Sequence, residues 1–168
     1  MISSGHVPAR WNQHTILSLP FMHRTEYAAS FQLLQPQDEQ TYQQAMAIGH
    51  CSADNLDEVF LVVDEFSWLK DKVYAVHRLG PGGVLPFHKD GYKKYQINHG
   101  IEDINHIHRI IVFLEHWKDG HILQVGPRLF AHWTAGDFVS WNGETSHMAA
   151  NLGHEDRYTL QITGTIKQ

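Results

Sequence analysis

His88 and Asp90 stand two residues apart in the stretch VLPFHKDGYKK, directly behind the turn-rich LGPGG. On a strand that ends near the histidine, such a pair can swing both donors onto one ion. With a further histidine it makes the facial two-histidine, one-carboxylate set of non-haem Fe(II) sites, which leaves three positions open. A chain with 14 histidines among 168 residues offers a His-x-Asp by chance, so the pair alone decides nothing. A second pair, His154 and Asp156, has no histidine after it and reads as a solvated turn before the last strand. Candidates for the third ligand of the first pair are His99, His106, His108, His116, His121, His132, His147 and His154.

An anion held beside the ion separates these candidates. It needs a fixed guanidinium with a hydroxyl beside it, because Arg–carboxylate pairing sets both charge and orientation. Arg157 follows His147 by ten residues, and Thr159 shares its strand face. His99 also has an arginine ten residues on, Arg109, but Ile111 takes the hydroxyl position, and too few residues separate His99 from Asp90 for the intervening strands. His147 is therefore the expected third ligand.

The elements that must position these residues are mainly β. After residue 71 come eight β-favouring runs split by Gly, Pro and Asp: KVYAVHRL, VLPFH, RIIVFLEHW, HILQVG, RLFAHW, DFVSWN, SHMAAN and RYTLQITGTI. They predict a sandwich or barrel. Ahead of them, TILSLP and SFQLLQP read as short strands. Helices are expected over residues 37–48, following Pro36, and over residues 53–71, where Leu56, Val59, Phe60, Val63 and Phe66 repeat at three and four. Residues 91–108 form a long polar loop with aromatic residues, a candidate lid whose Tyr92, Tyr95 and Asn98 are placed to touch substrate. Arg109, just beyond, is a further substrate candidate. Trp133 and Trp141 read as core, Asp137 as a turn residue, and His77, His106 and His108 as solvated or hydrogen-bonded.

Composition bounds the rest. Hydrophobic residues make up 42% and charged residues 18%, which is the make-up of a globular chain. The length suits one domain, residues 1–71 supplying strands and two helices and residues 72–166 the β core. A net charge of −5 without basic runs argues against nucleic acid as a partner. No signal-like or membrane-length apolar run occurs, so the expected location is the cytoplasm and no membrane partner is expected. The single cysteine, Cys51, cannot form an intramolecular disulfide and reads as a small buried residue near a helix end.

The order His88-x-Asp90, His147, Arg157-x-Thr159 resembles the Fe(II)/2-oxoglutarate-dependent dioxygenases over residues 72–166. The stretch from Trp133 to Ile162 is also similar to the C-terminal half of prolyl and aspartyl/asparaginyl hydroxylases, with Asn151 after His147. The resemblance implies a double-stranded β-helix, a cupin-like jelly roll, with N-terminal helices. It implies Fe(II) on His88, Asp90 and His147, 2-oxoglutarate held at its distal carboxylate by Arg157 and Thr159, O₂ as oxidant and ascorbate as reductant. Prolyl hydroxylases often carry a tyrosine shortly before the His-x-Asp strand. Here Leu79 stands at about that position and Tyr74 is the nearest phenol, so Tyr74 is carried as a cofactor-binding candidate while the prolyl-type substrate is not. The short chain favours a small molecule or one protein side chain as substrate, and single-domain oxygenases of bacteria and phages are similar in size. Two other functions fit the same residues: a cupin-like metal enzyme that does not use 2-oxoglutarate, and a binding module without turnover. Arg157 and Thr159 favour the oxygenase over the cosubstrate-free enzyme, and the complete triad favours either enzyme over the module.

Overall fold

The structure, a computed structural model, describes residues 1–24, 46–61 and 65–166. Two antiparallel sheets organise them. The larger runs in the order β1 (Ser3–His6), β9 (Asp137–Asn142), β6 (Ile107–Phe113), β11 (Arg157–Ile166), β4 (Leu69–Leu79), β3 (Ile48–Ser52) and β2 (Met22–Arg24). The smaller runs β5 (Val84–His88), β10 (His147–Asn151), β7 (His121–Val125) and β8 (Arg128–Phe130). This is a double-stranded β-helix, and each of the eight runs expected after residue 71 contains a strand.

Alternation along the strands builds three layers. Ile111 and Phe113 of β6, Leu79 of β4, Leu123 and Val125 of β7 and Ala149 of β10 form a core between the sheets. The opposite face of the large sheet, with Val76, Ile110, Leu160 and Ile162, buries against Val7, Trp11, Ile16, Phe60 and Phe66 from the N-terminal third. β11 is therefore buried on both faces, yet only one of them is apolar. Tyr158, Leu160 and Ile162 meet the N-terminal layer, while Arg157, Thr159, Gln161 and Thr163 alternate with them toward the space between the sheets. Polar groups on a buried strand face need partners, so this face marks where chemistry is housed.

The N-terminal third departs from expectation. TILSLP carries the end of a helix rather than a strand: α1 (Gln13–Leu17) opens on a reciprocal cap in which the Thr15 amide donates to the Asn12 side chain and the Asn12 amide to Thr15 Oγ1. The long helix expected over residues 53–71 is replaced by two 3₁₀ turns, Ala53–Asn55 and Glu58–Phe60, and by the start of β4. Pairing with the end of β11 draws Leu69 and Lys70 into the sheet, and Phe60 and Phe66 reach the core without helical spacing. The SFQLLQP strand and most of the 37–48 helix fall outside the described residues, and Ile48 opens β3 instead. Cys51 is buried as expected, on β3 rather than near a helix end. In the 91–108 segment a short helix, α2 (Lys93–His99), ends at Gly100 in the left-handed region.

Candidate metal centre

β5 and β10 are neighbours in the small sheet, and their register sets His88 directly opposite His147. The two rings lie 4.4 Å apart between centroids. Asp90 turns in just after β5, with Oδ1 3.7 Å from His88 Nε2 and Oδ2 3.7 Å from His147 Nε2. Donor atoms of the three residues all lie within 4.8 Å of one another, the one such cluster among the described residues.

Local hydrogen bonds aim the donors. His88 Nδ1 donates to the Pro86 carbonyl at 2.7 Å and His147 Nδ1 to the Thr145 carbonyl at 3.3 Å. Each bond fixes the tautomer and turns the Nε2 lone pair toward the centre of the cluster. Burial, the largest effect, pulls the pKa of His147 down to about 4, so its ring is neutral and ready to ligate. At His88 burial acts in the same direction, but hydrogen bonds to Asp90 and Pro86 outweigh it and the pKa is raised. Burial would raise the pKa of Asp90, yet the charge of Arg109 overrides it and holds the carboxyl far below the usual range. The donor set, two imidazoles and one ionised carboxylate, fits a first-row divalent ion such as Fe(II) or Mn(II).

Arg109, a substrate candidate from the sequence, supports this carboxylate. Its Nε and Nη2 donate to Asp90 Oδ2 at 3.1 and 2.6 Å, and its Nη1 donates to Thr163 Oγ1 on β11 at 2.6 Å. The guanidinium also lies 5.0 Å from the Tyr92 ring centroid.

A cavity of about 60 Å³ joins the cluster to the polar face of β11, with His88, Asp90, His147, Arg157, Thr159 and Gln161 on its wall beside Leu85, Ile111 and Leu123. That is space for several waters or a small ligand. Arg157 is 5% exposed, and no acid pairs with it among the described residues. Its Nε has no hydrogen-bond partner among the described residues, and its guanidinium lies 5.9 and 5.7 Å from the ring centroids of Phe113 and Trp133. Burial alone lowers its pKa to about 10, which leaves it charged at neutral pH. An unpaired buried cation is costly, and an anionic ligand would offset that cost.

Tyr74 is not part of this cavity. It sits on the opposite face of β4, in the N-terminal core, and the burial that surrounds it raises its pKa to about 12. The β4 residues that do face the cavity are His77 and Leu79. His77 shares a 3.0 Å hydrogen bond with His50 of β3, and burial, then the charge of His50, lowers its pKa to about 3. Its step of two from Leu79 was the signal in the sequence. Gln161, likewise missed, follows from the same alternation two residues beyond Thr159.

Tyr92, Tyr95, Asn98 and Arg109 do come together, around a second depression of about 600 Å³ that also borders Asp90. Tyr95 Oη donates to the Asp71 carbonyl at 2.9 Å. The rival pair lies where expected, in the turn between β10 and β11, with Asp156 accepting from Tyr158 Oη at 3.0 Å. Asn151 is fully buried and structural: its side chain donates to the carbonyls of Leu79 and Glu155, both at 2.8 Å.

No family model and no curated protein matches the sequence. Solved structures do. A prolyl-4-hydroxylase from Pseudomonas putida superposes with a TM-score of 0.56 at 14% identity, over 99% of this chain and 92% of its own. An oxidoreductase of the 2OG-Fe(II) oxygenase family from Burkholderia pseudomallei gives a TM-score of 0.57 at 13% identity, over 96% and 84%. At such identities the likeness establishes the shared fold. No helix among the described residues is long and apolar enough to cross a membrane.

Proposed function

We propose that the chain is a non-haem Fe(II)- and 2-oxoglutarate-dependent dioxygenase that hydroxylates a small molecule or a protein side chain. The observation that carries this is Arg157, a buried guanidinium without an acid partner among the described residues, in the same cavity as two histidines and an aspartate clustered closely enough for one ion. A metal enzyme without a diacid cosubstrate has no use for that cation there.

His88, Asp90 and His147 would hold the iron, and Arg157 with Thr159 would take the distal carboxylate of 2-oxoglutarate. Bound iron and 2-oxoglutarate supply the oxidising chemistry: with O₂, the 2-oxo acid becomes succinate and CO₂ while one oxygen atom enters a substrate C–H bond. Leu85, Ile111 and Leu123 line the cavity and keep bulk water from it. Arg109 keeps Asp90 ionised and oriented. Tyr92, Tyr95 and Asn98 border the outer depression, where substrate would approach. Ascorbate is the expected reductant for iron oxidised in unproductive cycles.

Purified protein with Fe(II), ascorbate and 2-oxoglutarate tests the proposal through succinate formation. Slow turnover without added substrate is expected, abolished in His88→Ala and reduced at least tenfold in Arg157→Ala. Succinate formation equal in all three proteins would defeat it. Metal-dependent turnover that ignores both 2-oxoglutarate and Arg157 would instead favour the cosubstrate-free metal enzyme.

A further inference from the structure

The outer depression has a charge character that the whole chain lacks. The protein carries a net charge of −5, yet Arg24, Lys93 and Lys94 border this space together with His50 and His99. Asp90 is the sole carboxylate among the described residues of its wall, and Arg109 already meets that charge at 2.6 Å. Lys93 and Lys94 pair with no acid among the described residues. Nearby Asp71 turns its carboxylate toward Thr165 Oγ1, 3.3 Å away. Val73, the Tyr92 ring and Tyr95, tilted against His99 at 4.5 Å between centroids, add apolar and aromatic surface beside Asn98 and Thr163. Concave surfaces lined by one sign of charge concentrate ligands of the opposite sign.

We infer that this depression is the substrate subsite and that it selects an organic anion, an apolar or aromatic body bearing a carboxylate or phosphate group. The subsite rests on the oxygenase proposal for its role, because Asp90 borders both spaces and sets a ligand there beside the candidate ion. Its anion preference rests on the lysines alone. Val73 and the tyrosine rings pack the body of the ligand, and the two lysines at the start of α2 take the charge. Tyr92, with Arg109 against its ring, ties this wall to the metal-binding carboxylate.

Amide-resolved NMR titration of the metal-free full chain tests the inference without any turnover. The probes are phenyl phosphate, benzoate, benzyl alcohol and benzylammonium at matched concentration and ionic strength. Phenyl phosphate and benzoate should shift resonances of residues 91–100 saturably, whereas the neutral and cationic probes should bind at least tenfold more weakly. The relative affinity of the two anions tells phosphate from carboxylate. Lys93→Glu/Lys94→Glu should weaken the anions at least tenfold and Lys93→Gln/Lys94→Gln should fall between; both sites are exposed, and the spectra report folding directly. In Arg157→Ala, phenyl phosphate should still shift residues 91–100, which separates this subsite from the inner cavity. Equal binding of all four probes, anion affinity indifferent to the double charge reversal, or loss of the shifts in Arg157→Ala would each overturn the inference. Failure of 2-oxoglutarate to bind or to turn over in the native protein would sink the oxygenase proposal and leave the titration result standing.

Discussion

Asp90 is shared between two cations, one present and one proposed. In the metal-free protein Arg109 neutralises it, and breaking a buried pair of this kind costs about 3 kcal/mol because a charge is left behind. Arg109→Met should therefore lower apo stability by roughly that amount. A bound ion supplies the missing positive charge, so Mn(II) should raise the unfolding temperature more in Arg109→Met than in the native protein. A smaller rise would mean that Arg109 serves the ion by positioning Asp90 rather than by substituting for its charge. His77 yields a prediction in pH. Its folded pKa, about 3, lies below the ordinary 6.5, so on acidification the unfolded chain takes up the proton first. Stability contributed by the neutral ring is whole above about pH 6.5 and is lost progressively below it, and His147 acts in the same direction. His77→Gln keeps a partner for His50 without that proton. Its urea midpoint should fall less between pH 7 and pH 5 than that of the native chain, both measured in chelator, and parallel profiles would refute the assignment.

At the scale of elements, the backbone crossing of the β6–β7 and β10–β11 connections leaves no room for a side chain. Gly120 has a φ of +85°, and a Cβ there would collide with the backbone of Leu152 and Gly153. Gly120→Ala should cost about 2–3 kcal/mol in urea unfolding, and a loss below 1 kcal/mol would show that this crossing yields. Strands were the legible part of the sequence because their period of two survives inspection, and β11 shows why: Tyr158, Leu160 and Ile162 alternate with polar residues that all point one way. Residues 53–71 misled because Phe60 and Phe66 satisfy a helical spacing while being buried by turns, and sheet pairing had already claimed Leu69. That His88, Asp90 and His147 cluster in space was readable from spacing plus the Arg-x-Thr face. The role of Arg109 was not, since nothing local says that an arginine on β6 meets an acid after β5. Tyr74 failed on parity: five residues from Leu79 on one strand puts it on the other face, a test the sequence permitted.

For the molecule as a whole, ligand binding and folding are linked. On the proposed reading the ion and the diacid would engage opposite sheets, and each would stabilise the folded chain by mass action, about 2.7 kcal/mol at a concentration one hundred times Kd. Calorimetry should therefore show that Mn(II) and 2-oxoglutarate together raise the unfolding temperature more than either does alone, and that His88→Ala abolishes the Mn(II) increment. Additive behaviour in the variant would place the ion elsewhere.

His88 and His147 belong to the smaller sheet and Arg157 to the larger, so the gap between the two layers acts as a caliper for whatever spans it. Phe113, Leu123 and Leu79 pack between the jaws, and none of them is a proposed ligand or reacting group. If the proposed function holds, trimming one of those spacers should reset the chain length of acid that fits, making cosubstrate choice a property of sheet packing.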